Sequence, residues 1–339
     1  MLEFVEQLLE GDFILPDNST QHYTAQRRVD PITGFSCRIT GKRPVDPATS
    51  PKGRPDISQQ VEATNGCPFC EGNVLKMTPR FPPHIHPDGR FFKGNSILFP
   101  NLMPYGRYSA VTIFSTQHHI PLGNFTVGEY EDALGNCLDY ARTIQTLDPE
   151  SVHQAITQNI LPSSGGALLH PHIQVNIDQE PMGYHQLLER CEEEKSQGDQ
   201  SFLLTLASHE ERSDRALMTI GEWTFFMAFA PLAAAEVQVV HTSKRTFSQL
   251  STEDLAAFST GVTAIHRFWS DMGTNAANMV LFSTVGGKHP LFGRLMLRAP
   301  YRTWYRTDRS AYEVTAMEAA GDLVPELLAK SFRDSYRPD

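Results

Sequence analysis

Two short runs of the chain carry residue types that do chemistry. In Cys67-Pro68-Phe69-Cys70 two thiols stand three residues apart. A tight turn at that spacing can present both sulfurs to one tetrahedral Zn2+, at roughly 2.3 Å per bond. A redox pair shares the spacing, but such a pair normally opens a helix after a strand, and Glu71-Gly72-Asn73 reads as continued turn. The remaining reading is a pair of buried free thiols. Two cysteines are half a metal site, so two more ligands have to come from elsewhere. The second run is His170-Pro171-His172-Ile173-Gln174. Alternate residues of a strand leave the same face, so 170, 172 and 174 would line up. Three polar groups are costly in a plain core; they suit a solvent-facing strand or a site. Val175 and Ile177 supply the opposite, core-facing side. Gly165-Gly166 lies just upstream, and a glycine turn lets backbone approach a ligand closely, which favours a site.

These runs must be held by surrounding elements. Residues 109–115 are apolar and β-branched and read as a strand. Thr126-Val127-Gly128-Glu129 is a capping box that opens a helix, and Tyr130, Leu134, Cys137, Leu138, Ala141 and Ile144 give it an apolar stripe. Strands near 153–160 and 171–177 follow. The later chain runs in the same order. Strands are expected at 224–230 and 236–241. A helix capped by Ser251-Thr252-Glu253-Asp254 follows, then closing strands at 278–283 and 294–298. Gly286-Gly287 precedes one closing strand as Gly165-Gly166 precedes the other. Two copies of a strand–strand–helix–strand–strand unit predict an α+β fold, an antiparallel sheet with helices packed on it. At the front, Leu2, Val5, Leu8 and Leu9 predict a short amphipathic helix, and residues 12–66, rich in Pro, Gly, Asp and Arg, an irregular arm with short strands. Pro79 to Gly94 reads as a loop, and a last helix is expected over 323–332. The divisions expected are 1–66, 67–200 and 201–339.

The chain has 339 residues, 40% of them hydrophobic, and a formal net charge of -10. That suits one large or two modest domains with real cores. It excludes tracking of a nucleic-acid backbone, which needs clustered Lys and Arg. No apolar run approaches a membrane span. Five cysteines without a basic, apolar leader point to a reducing cytoplasm rather than a disulfide framework.

The run 165–174, Gly-Gly-Ala-Leu-Leu-His-Pro-His-Ile-Gln, resembles the active-site strand of the galactose-1-phosphate uridylyltransferase family. That family is a branch of the histidine-triad superfamily that includes ADP-glucose phosphorylases and dinucleoside polyphosphate phosphorylases. The likeness covers most of residues 25 to 335 and is most specific at the cysteine and histidine motifs. It implies a fold of two tandem histidine-triad-like halves, the second degenerate. It implies one structural Zn2+ held by Cys67, Cys70, His118 and His170, with His119 as the alternative to His118. It makes His172 the nucleophile that takes a nucleoside monophosphate from a nucleoside diphosphate sugar and passes it to a sugar 1-phosphate or inorganic phosphate. Gln174, where hydrolytic branches have His, would donate to phosphoryl oxygens and favour transfer to phosphate over transfer to water. Asn159 matches a phosphate-contacting Asn, Arg43 a phosphate-binding Arg, and Asn101 a nucleotide-pocket Asn. Gly165 and Gly166 would line the substrate, Tyr312 and Glu313 match sugar-contacting residues, and a homodimer is expected.

Departures from the pattern are specific. Ala167 stands where the family has a phosphate-holding Ser, leaving Ser163 or Ser164 as substitutes. Residues 293–297 lack the His-x-His that holds a second metal in some members, so no second metal is expected. His84, His86, His185, His209, His241, His266 and His289 show no partner pattern. Thr307, Asp308 and Ser310 replace the expected Lys, aromatic and aliphatic groups around the sugar. A phosphorylase with inorganic phosphate as acceptor, and a zinc-stabilised nucleotide-binding protein without activity, are the alternatives.

Overall fold

The computed structural model describes residues 2–40, 55–198, 200–287, 289–302 and 309–337. The chain begins with β1 (Val5–Ile14), β2 (Thr20–Val29), β3 (Ser36–Ile39), α1 (Ser58–Ala63) and α2 (Val74–Met77). It continues through β4 (Phe91–Lys93), β5 (Ser96–Pro100), β6 (Tyr108–Ile113), α3 (Val127–Leu147), β7 (His153–Ile160) and β8 (His172–Asp178). Then come α4 (Gly183–Lys195), α5 (Phe202–Glu210), β9 (Ala216–Ile220), β10 (Trp223–Met227), β11 (Val237–His241) and α6 (Thr252–Asp271). β12 (Ala277–Thr284), β13 (Phe292–Leu297), α7 (Ala311–Val314), β14 (Ala319–Gly321) and α8 (Pro325–Ser335) complete it.

The capping boxes work as read. Thr126 and Glu129 exchange hydrogen bonds at the start of α3, and Ser251 and Asp254 do so at the start of α6. The front of the chain corrects the expectation of a helix. Leu2 to Leu9 contributes instead to β1, which pairs antiparallel with β2 from Val5↔Val29 to Ile14↔Thr20. A helix this short is marginal in water, whereas the hairpin partner satisfies the backbone along its whole length. The apolar residues fit either period over so short a run. Val5 and Leu8 remain exposed, so no core face required a helix. The expected turn at 30–34 is present: the Asp30 carboxylate accepts from the Ile32 and Thr33 backbone N–H groups and the Thr33 hydroxyl. The arm is more regular than its composition suggests, because β2 and β3 pair within it. α4, α5 and β9, between the two repeated rhythms, had no place in the sequence reading.

Two sheets result. A four-stranded mixed sheet runs β1-β2-β3-β14, with β14 parallel to β3. The larger sheet runs β4-β5-β6-β8-β7-β12-β13-β11-β10-β9, with every pairing antiparallel. Its order is a mirror: the first unit contributes β5-β6-β8-β7, the second β12-β13-β11-β10, and β7 meets β12 at the centre over eight residue pairs. α3 and α6 pack together on one face, where Ile156, Ile173, Val175, Ile177, Met279 and Leu281 join the main core. On the opposite face α4 and α5 cover the second unit, burying Leu188, Phe202, Leu203 and Leu206 against Ala155, Phe226, Val240, Phe282 and Phe292. The first unit's part of that face carries the polar residues of β7 and β8. Among the described residues no helix is long and apolar enough to cross a membrane.

Candidate active site

The turn after α1 and the approach to β8 bring four ligand atoms together. Cys67 Sγ lies 3.6 Å from Cys70 Sγ and 3.6 Å from His170 Nδ1. Cys70 Sγ lies 3.2 Å from His118 Nδ1 and 3.8 Å from His170 Nδ1. A tetrahedron with Zn–S about 2.3 Å and Zn–N about 2.0–2.1 Å has edges of roughly 3.3–3.8 Å, so both the spacing and the donor set fit such an ion. The ring tautomers agree. His170 Nε2 donates to the Ser115 carbonyl at 2.8 Å, which turns the lone pair of Nδ1 toward the sulfurs. Nε2 of His118 meets the Thr64 hydroxyl at 3.0 Å. Burial pushes His170 down to about 4, keeping the ring neutral, and pushes the Cys67 thiol up to about 11. The sulfurs are free thiols in a turn that continues to the four-residue α2, not the start of a long helix, so the redox reading loses its structural support. His119 stands outside the cluster, its buried Nδ1 without a partner among the described residues.

The same turn reaches the second histidine. The Phe69 ring meets His170 and His172 edge-on, with centroids 5.8 and 5.7 Å away, and packs against Phe99 at 5.2 Å. His172, the first residue of β8, is 7% exposed, and its Nδ1 donates to the His170 carbonyl at 2.8 Å. That bond fixes the tautomer and leaves Nε2 with its lone pair. Burial, the larger cause, lowers the ring's pKa against the raising effect of the same hydrogen bond. A neutral, oriented imidazole is the form that attacks an electrophile. Gln174, on the same face and half-buried, engages no partner among the described residues.

The other expected residues divide. Asn159 lies on β7 beside His172, one step beyond the pair Gln158↔Ile173. Gly165 has φ +95°, a left-handed conformation suited to glycine. A Cβ on Gly166 would stand 3.1 Å from the Leu161 carbonyl oxygen. Gly165 is therefore favoured by its backbone conformation and Gly166 by its close approach to the Leu161 carbonyl. Ser164 Oγ is spent on the Ile160 and Leu161 carbonyls, whereas Ser163 Oγ is buried without a partner among the described residues. Asn101 donates to Ser109 Oγ, which donates to Asn176 Oδ1, tying it to the same face of β8 farther along the strand. Glu313, capped by Ser310 on α7, lines a cavity of about 190 Å3 with Arg298 and Arg309. Tyr312 is half-exposed and does not line that cavity. Arg43 lies outside the described residues, as do Thr307 and Asp308.

Besides the Cys67 cluster, two further groups could hold a cation among the described residues, one of them Glu222, His241 and Asp254. His185, Glu189 and His289 are buried with ligand atoms within 4.8 Å of one another. His185 Nε2 is 3.1 Å from His289 Nε2, His289 Nδ1 donates to the Pro290 carbonyl, and His153 Nε2 stands 3.2 Å from Glu189. Two of these residues, His185 and Glu189, come from α4, and none comes from 293–297. The signal available in the sequence was His289-Pro290, placed after Gly286-Gly287 as His170-Pro171 is placed after Gly165-Gly166.

With this geometry in view, comparison with known proteins is informative. No family model matches the sequence. An uncharacterised protein from Archaeoglobus fulgidus is 27% identical over 329 residues, covering 95% of this chain and 96% of that one. Among solved structures, an ADP-glucose phosphorylase from Arabidopsis thaliana with bound ADP-glucose aligns with TM-score 0.67 at 14% identity, covering 92% of this chain and 99% of that chain. A uridylyltransferase aligns with TM-score 0.62 at 18% identity, covering 91% and 97%. The chain has the fold of these enzymes. At such identities the shared fold places the strands and leaves the chemistry to be argued from the residues themselves.

Proposed function

We propose that the protein transfers a nucleoside monophosphate through a covalent nucleotidyl-histidine on His172. The observation that carries this reading is the Nδ1–H bond of His172 to the His170 carbonyl, which presents Nε2 on a polar sheet face beside Asn159 and Gln174. Nε2 attacks the α-phosphorus of a nucleoside diphosphate sugar. The N–P bond forms as the bond from that phosphorus to the bridging oxygen breaks, and sugar 1-phosphate leaves with the bridging oxygen. A second phosphate, on a sugar or inorganic, then attacks the same phosphorus and frees the imidazole. Gln174 and the Asn159 amide donate to the phosphoryl oxygens, whose negative charge grows in the transition state. Neither can supply a proton to a leaving group, which suits exchange between two phosphates of low basicity. Cys67, Cys70, His118 and His170 would hold one structural Zn2+; with four protein ligands it has no open position for substrate and serves to fix the His170 carbonyl that orients His172.

Incubation with labelled UDP-glucose, ADP-glucose or a dinucleoside polyphosphate tests the reading. Label should become attached to His172 in an acid-labile, alkali-stable bond and leave on addition of glucose 1-phosphate or inorganic phosphate. The acceptor that releases it separates a transferase from a phosphorylase. Absence of label with every donor, alongside measurable nucleotide binding, would mean a binding protein without activity. The reading includes a homodimer, since the β1–β2 hairpin leaves Leu8, Phe13, Ile14 and Tyr23 exposed; sedimentation at micromolar concentration checks it.

A further inference from the structure

Three side chains on adjacent strands form a row. His172 on β8, Asn159 on β7 and Asn278 on β12 are neighbours in register, since Asn159 pairs with Asn278 and lies beside His172. Facing residues of neighbouring strands leave the same side of a sheet about 4.8 Å apart. Asn278 comes from the second unit, which contributes no residue to the proposed chemistry above. Its amide nitrogen donates to Asn159 Oδ1 at 2.5 Å and to the Ser164 carbonyl at 3.0 Å. Its own Oδ1 accepts from Arg298 Nη1 at 2.5 Å.

The direction of this chain is forced. A guanidinium has only donors, so the group facing Arg298 has to be the oxygen of Asn278. The nitrogen of Asn278 then faces Asn159 and the Ser164 carbonyl, and Asn159 has to answer with its oxygen. The amide nitrogen of Asn159 is thereby turned away from β12, and no acceptor among the described residues engages it. A free asparagine amide would present either end at nearly equal cost; this one is polarised by a cation two residues away along the hydrogen-bonded chain.

Resting on the nucleotidyl-transfer reading, we infer that Asn278 and Arg298 are positioning residues that fix the Asn159 amide with its N–H2 toward the phosphate held at His172. The second unit then supplies the polarity of the site rather than any reacting group. The Ser164 carbonyl is tied into the same chain, so the glycine turn ahead of β8 and the phosphate donor on β7 are set together.

Asn278→Asp tests this. A carboxylate of the same shape still accepts from Arg298 but cannot donate to Asn159, so the Asn159 amide should reverse and offer its oxygen to the phosphate. The expected result is a loss of about tenfold or more in the rate of His172 labelling, comparable to Asn159→Ala, with no further loss when the two are combined. A role in structure alone predicts that the two losses multiply, and that outcome, or a silent Asn278→Asp, overturns the inference. If Asn278→Asp fails to fold, Asn278→Ala replaces it: a smaller loss is expected, again absent in the Asn159→Ala background. Calorimetric AMP binding separates this inference from the reaction itself. Should no donor label the wild-type protein, the nucleotidyl-transfer reading fails. The same non-additive loss of AMP affinity would still support the amide polarity, and additive losses would overturn it.

Discussion

A glycine pair and then His-Pro precede both inner strands of the large sheet: Gly165-Gly166 and His170-Pro171 ahead of β8, Gly286-Gly287 and His289-Pro290 ahead of β13. In both runs the first histidine is buried, gives one ring N–H to a backbone carbonyl and turns its other nitrogen to groups that can hold a cation. The runs part at the next side chain but one. The first opens β8 with His172 on the face opposite α3 and α6; the second turns Leu291 into the main core and opens β13 with Phe292 under α4 and α5. Their surroundings differ to match. The first cluster draws its sulfurs from a turn and leaves half-buried Asn159 and Gln174 beside His172, whereas the second draws His185 and Glu189 from α4, which with α5 closes the corresponding face. One scaffold thus carries the glycine pair and His-Pro twice, opening one strand with His172 among polar side chains and the other with Phe292 beneath two helices.

The largest expected effect separates the two runs outright. His172→Ala should abolish labelling, a loss on the order of 10³-fold or more, with the fold intact by circular dichroism. Leu291→Ala should leave His172 labelling within a few-fold while lowering stability by about 2–5 kcal/mol in urea unfolding. If His172→Ala still takes up label, the difference between the runs is not chemical. Next, Cys67→Ser should release one equivalent of zinc, measured by elemental analysis, and reduce activity together with thermal stability, because a four-ligand site contributes folding energy directly. His185→Ala should leave that equivalent bound; its loss there would show that the two clusters are not independent. Phe69→Ala comes third. It removes the ring edge from His172 and Phe99, and should cost roughly 1–3 kcal/mol and slow labelling about tenfold without releasing zinc.

The smallest effect concerns the shared core under both runs. His266 is buried between α3 and α6 against Tyr130, and burial pushes it down to about 3. As pH falls below about 6.5 the unfolded ring gains its proton while the folded ring does not. Stability present at neutral pH should therefore fall by about 1 kcal/mol from this residue between pH 6.5 and 5.5. Unfolding in urea at pH 6.5 and 5.5 should show a shallower loss in His266→Phe.

Much of this was legible in the residues. The capped helices α3 and α6 and the strands β6, β7, β8, β10, β11, β12 and β13 follow from hydrophobic period and cap chemistry, both local signals. The set Cys67, Cys70, His118 and His170 was reachable only through resemblance, since nothing local ties residues 67 and 118 together. Asn278 and Arg298 were not reachable at all: their role depends on β7 meeting β12, a pairing between chain segments far apart in sequence. The front of the chain misled because a few apolar residues fit a helix and a hairpin equally, and the partner strand decided. His185 and Glu189 show no pattern in the sequence because they meet His289 from α4, a helix without a cap signal or a strong apolar period.

The short strand β14 lies parallel to β3, and α8 beyond it supplies Glu326 to Arg28 of β2. During synthesis β3 therefore leaves the ribosome with an unpaired edge, which is closed only once residues 319–321 have followed. The small sheet is thus completed only after every strand of the large one has been made.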